Sequence, residues 1–340
     1  MMTLVQRISS LTELGKVLIQ NNNTLQTDIF KKACVENPWF TPENIYLSLE
    51  AITSHYLNEQ SLSDLVLRYH IDNNIQPKKI GLVLAGNIPM VGFHDILCCY
   101  LTGHISMIKL SDKDKVLIPY VLNLLIVNYP EAQHYFEYVE KLSGFDAVIA
   151  TGSNNTALHF EYYFRDFPHI IRYNRNAVAI LKGNEDLSTM QLLAQDIFSY
   201  FGLGCRNVSK LFLPEGYPLE RLMEAFDSYK DIILYNKYKN NYDYNVALYL
   251  LNKEAFLQNE FFILRPSTDV ASRIATIHYE YYSNVSQLTE KIKTDMDKIQ
   301  CVVAADPLPG ISTVSFGQAQ HPEIDTFADS VDTIQFLLSL

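Results

Sequence analysis

Between residues 79 and 181 short apolar runs alternate with segments of helical periodicity. That rhythm constrains the fold more than any other feature of the chain. Residues 79–85 (K-I-G-L-V-L-A) form a continuous apolar run between breakers, the pattern of a strand buried on both faces. Further strands are predicted at 105–110, 136–140, 145–150, 170–173 and 178–181, with helices at 90–101, 113–128 and 154–164. Strands and helices that alternate at this length imply a parallel sheet with helices on its faces. The predicted class is therefore α/β. Ligands of such sheets bind outside the carboxyl ends of the strands.

Residues 1–75 read as helices. Leu4, Ile8, Leu11, Leu14 and Leu18 recur at helical spacing, and Thr41-Pro42-Glu43 is a helix start. After Gly183 the rhythm loosens. Helices are predicted at 187–201, 219–228, 243–256, 285–296 and 331–338, and strands at 208–213, 261–264, 274–279, 301–304 and 312–316. A domain boundary is placed at 182/183, although no linker rich in Pro, Gly or Ser marks it.

Composition narrows the function classes. With 38 acidic against 27 basic side chains the net charge is −11, which argues against nucleic acid and anionic membranes as partners. The five cysteines (Cys34, Cys98, Cys99, Cys205, Cys301) are too scattered for a disulfide framework, and without a CxxC pair no metal site is expected. No charge-free apolar run reaches about 18 residues, so no membrane span is expected. With no cleavable signal pattern, the expected compartment is the reducing cytoplasm.

Four stretches carry candidate chemistry. In Y-F-G-L-G-C-R-N-V, Gly202 and Gly204 permit a sharp turn that exposes Cys205, a nucleophile if its thiolate is favoured. The alternative is a small buried thiol after a capped helix. In A-G-N-I-P, Asn87 follows a strand, where its amide either stabilises an oxyanion or caps the next helix. In I-K-L-S-D, Lys109 and Asp112 either hold a nucleotide's ribose or form a solvated cluster with Asp112 as a cap. In A-T-G-S-N-N, Thr151, Gly152 and Ser153 feed a helix N-terminus suited to a pyrophosphate. His94, beside Asp95, is either a proton shuttle or a packed helix residue.

Taken in order, A-G-N-I-P-M-V-G-F-H-D, I-K-L-S-D, A-T-G-S-N-N and G-L-G-C-R-N-V resemble the aldehyde dehydrogenase superfamily and, within it, the LuxC-type acyl-CoA reductases. The resemblance covers residues 76–215 by motif and, more weakly, 316–340. It implies an aldehyde-dehydrogenase-like fold. Behind the N-terminal helices (1–75), residues 76–182 would be a dinucleotide-binding domain. Residues 183–340 would be a catalytic α/β domain whose final segment, from about 306, returns to the first domain. Cys205 matches the family's nucleophile and Asn87 its oxyanion-binding asparagine. Lys109 and Asp112 match ribose contacts, and Ser153 lies near the pyrophosphate. The implied reaction reduces an acyl-CoA to an aldehyde through an acyl-cysteine, using NADPH, with NADH also open. Hydrolytic members carry a glutamate base in an E-L-G-G-K segment upstream of the cysteine. Here the segment is I-R-Y-N-R-N-A, with Arg172 and Arg175 and no acid. Two alternatives stand beside this reading: an acyl-binding partner of a synthetase or transferase complex, and a non-catalytic relative. The oligomeric state does not carry over.

Overall fold

Alternation along the first strand sets the architecture of the N-terminal part. In β1 (Lys79–Val83) Ile80 and Leu82 are wholly buried on one face, while Gly81 faces the other and lets Leu142 approach closely. The computed structural model describes residues 1–20, 24–74 and 76–340, so residues 21–23 and 75 of the predicted helical region lie outside it. The chain divides into two compact units, residues 1–174 with 322–340, and residues 175–321.

In the first unit β1 is joined by β2 (Ile105–Lys109), β3 (Phe136–Tyr138), β4 (Ala147–Thr151) and β5 (His169–Arg172). The sheet order is β3-β2-β1-β4-β5 and every pairing is parallel. Helices α1 (Leu4–Gln20), α2 (Thr24–Glu36), α3 (Pro42–Ala51), α4 (Glu59–Tyr69), α5 (Phe93–Leu101) and α6 (Leu117–Asn128) share one core with Ile80, Leu82, Ile108 and Ile149. On the opposite face, α7 (Asn154–Phe164) sets Ala157 and Phe164 against Val148, Ala150 and Ile171. The predicted Thr41 cap is present, its side chain accepting the Asn44 N–H with Pro42 in the first turn. Two helices start later than their periodicity suggests. Met90 is left-handed (φ 55°), so α5 waits until Phe93, and the backbone before Leu117 is turned by an Asp114 side chain that accepts the Leu117 N–H.

The second unit holds β6 (Asn176–Ile180), β7 (Val208–Pro214), β8 (Leu257–Gln258), β9 (Ile263–Pro266), β10 (Thr276–Tyr282), β11 (Ile299–Ala304) and β12 (Thr313–Val314). They form one sheet, ordered β12-β11-β6-β7-β10-β9-β8 and parallel except for the β8–β9 pair. Its helices are α8 (Leu187–Phe198), α9 (Glu220–Ala225), α10 (Asn236–Leu251) and α11 (Val285–Thr294). The strand predicted at 178–181 to close the first region is β6, and it pairs with β7 and β11. The observed division therefore falls at 174/175, not at 182/183. Parallel partners are chosen by distant segments, which a local apolar run does not reveal. Residues 306–321 stay with this unit, where Phe316 and Ala319 enter its core.

The last segment belongs to the first unit. His104 Nε2 donates to the Leu337 carbonyl (3.0 Å) and the Tyr69 hydroxyl to Asp332 (2.7 Å), fixing the C-terminal helix Thr333–Leu338. Among the described residues no helix is long and apolar enough to cross a membrane.

Candidate functional site

Strand register brings three of the four sequence stretches to one edge of the first sheet. The Cα of Val83 lies opposite both Lys109 and Ala150, so the turns after β1, β2 and β4 leave from one row. The chain runs outward from β1 to β2 on one side, and β4 flanks β1 on the other. This is the topological switch point where doubly wound sheets bind ligands.

The β1 turn is tightly built. A Cβ on Gly86 would lie 2.6 Å from Ser111 Oγ, so only glycine lets the β2 loop close over it. The buried Asp114 accepts from the Met90 N–H (2.9 Å) and the Leu117 N–H (3.1 Å), tying the β1 turn to the start of α6. Ser48 Oγ donates to the Pro89 carbonyl at 2.7 Å. Burial pushes the Asp114 carboxyl up to about 6, although those N–H groups pull it down. Asn87 sits half-buried on this turn. It does not cap α5, whose N-cap is Gly92 with no side-chain bond.

Lys109 ends β2, and its carbonyl accepts the Leu84 N–H at 3.2 Å. Asp112 is exposed and pairs with Lys115 at 2.6 Å, which holds its carboxyl below the usual range. It caps nothing, because the residue that engages α6 is Asp114. At the β4 end, Ser153 is the N-cap of α7, accepting from Thr156 N at 3.3 Å. The first-turn N–H groups have no partner within the helix.

His94 is built in as a packed residue. Its Nε2 donates to the Ile324 carbonyl at 2.7 Å, its ring lies 5.0 Å from that of Tyr56 and 5.7 Å from that of Phe327, and burial lowers its pKa. The shuttle reading is therefore corrected: the ring clasps the C-terminal segment. Asp95 likewise forms a buried ion pair with Arg172 (2.6 Å), and Arg172 also donates to Thr333 Oγ1 at 2.9 Å. In the second unit Arg175 donates to the Met296 carbonyl at 3.2 Å.

The second unit carries the cysteine turn. Tyr200 (φ 53°), Phe201 (φ 59°) and Gly202 (φ 75°) are consecutive left-handed residues that end α8 earlier than predicted. For two bulky side chains this conformation is strained, and such strain collects at functional sites. Phe201 stacks on Tyr235 with centroids 4.6 Å apart. Cys205 follows, half-buried on the turn into β7. The buried Asn207 staples the turn. Its Nδ2 donates to the carbonyls of Asp196 (3.1 Å), Ile197 (3.2 Å) and Ser199 (2.8 Å), and its Oδ1 accepts from Gly204 N (2.8 Å). Arg206 Nε donates to the Ala319 carbonyl. Asp196, fully buried, accepts from Gly317 N (2.7 Å) and Ala319 N (3.0 Å), and burial raises its carboxyl to about 6.

Sequence reasoning gave no role to Asp114, Asp196 or Asn207. Asp196 had a signal, being a lone acid on the apolar face of α8 beside Leu193 and Ile197. The other two looked like ordinary loop residues.

No family model matches the chain. The long-chain acyl-protein thioester reductase of Aliivibrio fischeri is 25% identical over 204 residues, covering 53% of this chain and 41% of that protein, less than half its length. Among solved structures, aldehyde dehydrogenase 21 of Physcomitrella patens in complex with succinate gives a TM-score of 0.68 at 12% identity, covering 99% of this chain and 84% of the other. The NAD+ complex of a Bacillus cereus aldehyde dehydrogenase gives 0.63 at 12% identity, covering 89% and 72%. The indole-3-acetaldehyde dehydrogenase AldA of P. syringae gives 0.62 at 12% identity, covering 90% and 73%. The chain has the aldehyde dehydrogenase fold.

Proposed function

We propose that this protein reduces an acyl thioester, an acyl-CoA in the first instance, to an aldehyde with Cys205 as the nucleophile. The observation that carries the reading is the build of the cysteine turn. A half-buried thiol follows two strained left-handed residues and is held by a buried asparagine whose donors and acceptor are occupied by the turn itself. A merely packed thiol requires none of this. The weak similarity to a thioester reductase and the aldehyde dehydrogenase fold point the same way.

The first unit suits a dinucleotide. Ala85–Asn87 and Thr151–Ser153 meet at the switch point, and the N-terminus of α7 presents backbone N–H groups to a pyrophosphate. The β2 loop carries Lys109, Lys113 and Lys115 against one exposed acid, Asp112, a balance that accommodates the 2′-phosphate of NADPH. A nicotinamide dinucleotide held there would supply hydride for the reduction.

The chain's own residues act before and after. The Cys205 thiolate attacks the thioester carbonyl, a new carbon–sulfur bond forms, the bond to the carrier's sulfur breaks, and the carrier leaves as its thiolate. The oxyanion donor is assigned to the Asn87 amide on its match to the family's oxyanion-binding asparagine alone. The segment that corresponds to the glutamate segment of hydrolytic members, I-R-Y-N-R-N-A, carries no acid, and its Arg172 is locked against Asp95. With no carboxylate in that segment to activate water, hydrolysis of the acyl group should be poor. Consumption of NADPH across an acyl-thioester series, with aldehyde identified as product, tests the proposal. Cys205→Ala should abolish the turnover, and turnover that survives this substitution would overturn it.

A further inference from the structure

The returning segment, residues 322–340, is clasped within the first unit by two histidine rings. His94 holds the Ile324 carbonyl at 2.7 Å and His104 the Leu337 carbonyl at 3.0 Å. His104 is 4% exposed, and both of its ring nitrogens are engaged. Nδ1 accepts the Lys78 N–H at 3.0 Å, which makes Nε2 the protonated nitrogen that donates to Leu337. A second donor, the Asn74 amide, stands 3.4 Å from Nδ1. It is turned that way by its bonds to the Thr102 carbonyl (3.1 Å) and the Gln76 N–H (2.9 Å). Only a neutral ring fits this arrangement, because a proton on Nδ1 would point at two donors. Burial, the largest influence, lowers the His104 pKa from its ordinary 6.5; Arg7 and Lys78 add to this, while the Leu337 carbonyl and Asp146 oppose it. Burial likewise lowers that of His94, against Asp95, the Ile324 carbonyl and Asp325 and together with Arg172.

We propose that residues 322–340 are an acid-released strap: protonation of His104, joined by His94, frees the helix Thr333–Leu338 while the rest of the first unit stays folded. A group whose proton affinity is lowered by folding stabilises the closed strap above its ordinary value, and that contribution is lost as the pH falls through the lowered one. Release therefore begins below pH 6.5. The outer contacts do not share this sign. His55 gains by protonation beside Glu323 (3.2 Å), and Arg68 keeps its pair with Asp325, so the strap stays tethered there when its helix lets go. The consequence falls on α5. Ile334 and Leu337 share a core with Ile96 and Leu97 of that helix, and Thr333 accepts from Arg172, the partner of Asp95 on the same helix. Opening the strap removes the backing of the helix that follows the β1 turn, so acid loosens the turn that carries Asn87. The inference is independent of the reading of Cys205.

Hydrogen exchange of the full chain, followed by peptide mass from about pH 7.5 to about pH 5 and corrected for the intrinsic rate, tests the strap. Protection of the helix Thr333–Leu338 should fall about tenfold or more over that range, while β1 and β2 keep theirs. The readout is local because Asp114 and Asp196 shift global stability with the opposite sign. In His104→Gln the amide can still donate to Leu337 but cannot titrate, so most of the fall should vanish. A wild-type helix whose protection does not change, or that opens only together with β1 and β2, would overturn the proposal. So would an equal fall in His104→Gln. If that variant does not fold, the His104 ring signal in the wild-type NMR spectrum decides. A titration midpoint that coincides with the loss of protection supports the strap, and a ring that takes up its proton with the helix still protected overturns it.

Discussion

The Asn207 side chain donates to three carbonyls at the end of α8 and accepts from Gly204, so it fixes both sides of the turn that carries Cys205. An amide is the side chain that can do both at once. Asn207→Ala strips partners from several buried backbone groups, each worth about 1–3 kcal/mol when unsatisfied. A loss of about 3 kcal/mol in urea unfolding is expected, together with a changed rate of thiol alkylation at Cys205. Asn207→Asp should fare no better, because a carboxylate cannot donate to the three carbonyls. Unchanged stability in both variants would remove Asn207 from the account. The residue was invisible in the sequence because an asparagine after a turn is unremarkable. Its three carbonyl partners became adjacent only when α8 broke at the left-handed Tyr200 and Phe201.

Among the elements, the β1 turn and the loop after β2 act together through Asp114. Its carboxyl, raised to about 6 from an ordinary 3.8, binds its proton more tightly in the folded protein than in the unfolded chain. That contribution is therefore complete below the unfolded value and is lost as the pH rises through about 6. Asp196 behaves alike in the same window. Unfolding free energy should fall between pH 4 and 6.5, by at most about 3 kcal/mol for each group. Asp114→Asn should flatten part of that fall, and an unaltered pH profile in the variant would contradict it. The strands of the first sheet were legible because continuous apolar runs between breakers have few alternatives. The membership of β6 was not, since its pairing with β7 and β11 depends on segments far along the chain. Helix α10 was found late, at 243 rather than at Asn236, because its first turns (N-K-Y-K-N-N-Y) show no apolar period.

At the scale of the molecule, the chain passes into the second unit after Asn174 and returns at Pro322. The returning segment is held by His94, His104, Tyr69 and Arg172, and Tyr173 N donates to Asp329 at 3.1 Å. The Arg172–Asp95 pair joins β5, α5 and the C-terminal helix. Arg172→Met would leave Asp95 buried and unpaired, at a cost of about 3–5 kcal/mol. Adding Asp95→Leu should recover most of it, and a double variant no more stable than the single one would contradict this. Arg172 is thus a fastener of the fold. The most direct test is the mass of the Cys205 peptide after incubation with an acyl-CoA in the absence of nucleotide. The account predicts an acyl adduct on Cys205 that persists in water and disappears, with release of aldehyde, when NADPH is added. An unmodified Cys205, or an adduct that hydrolyses to the free acid as fast as it forms, would contradict it.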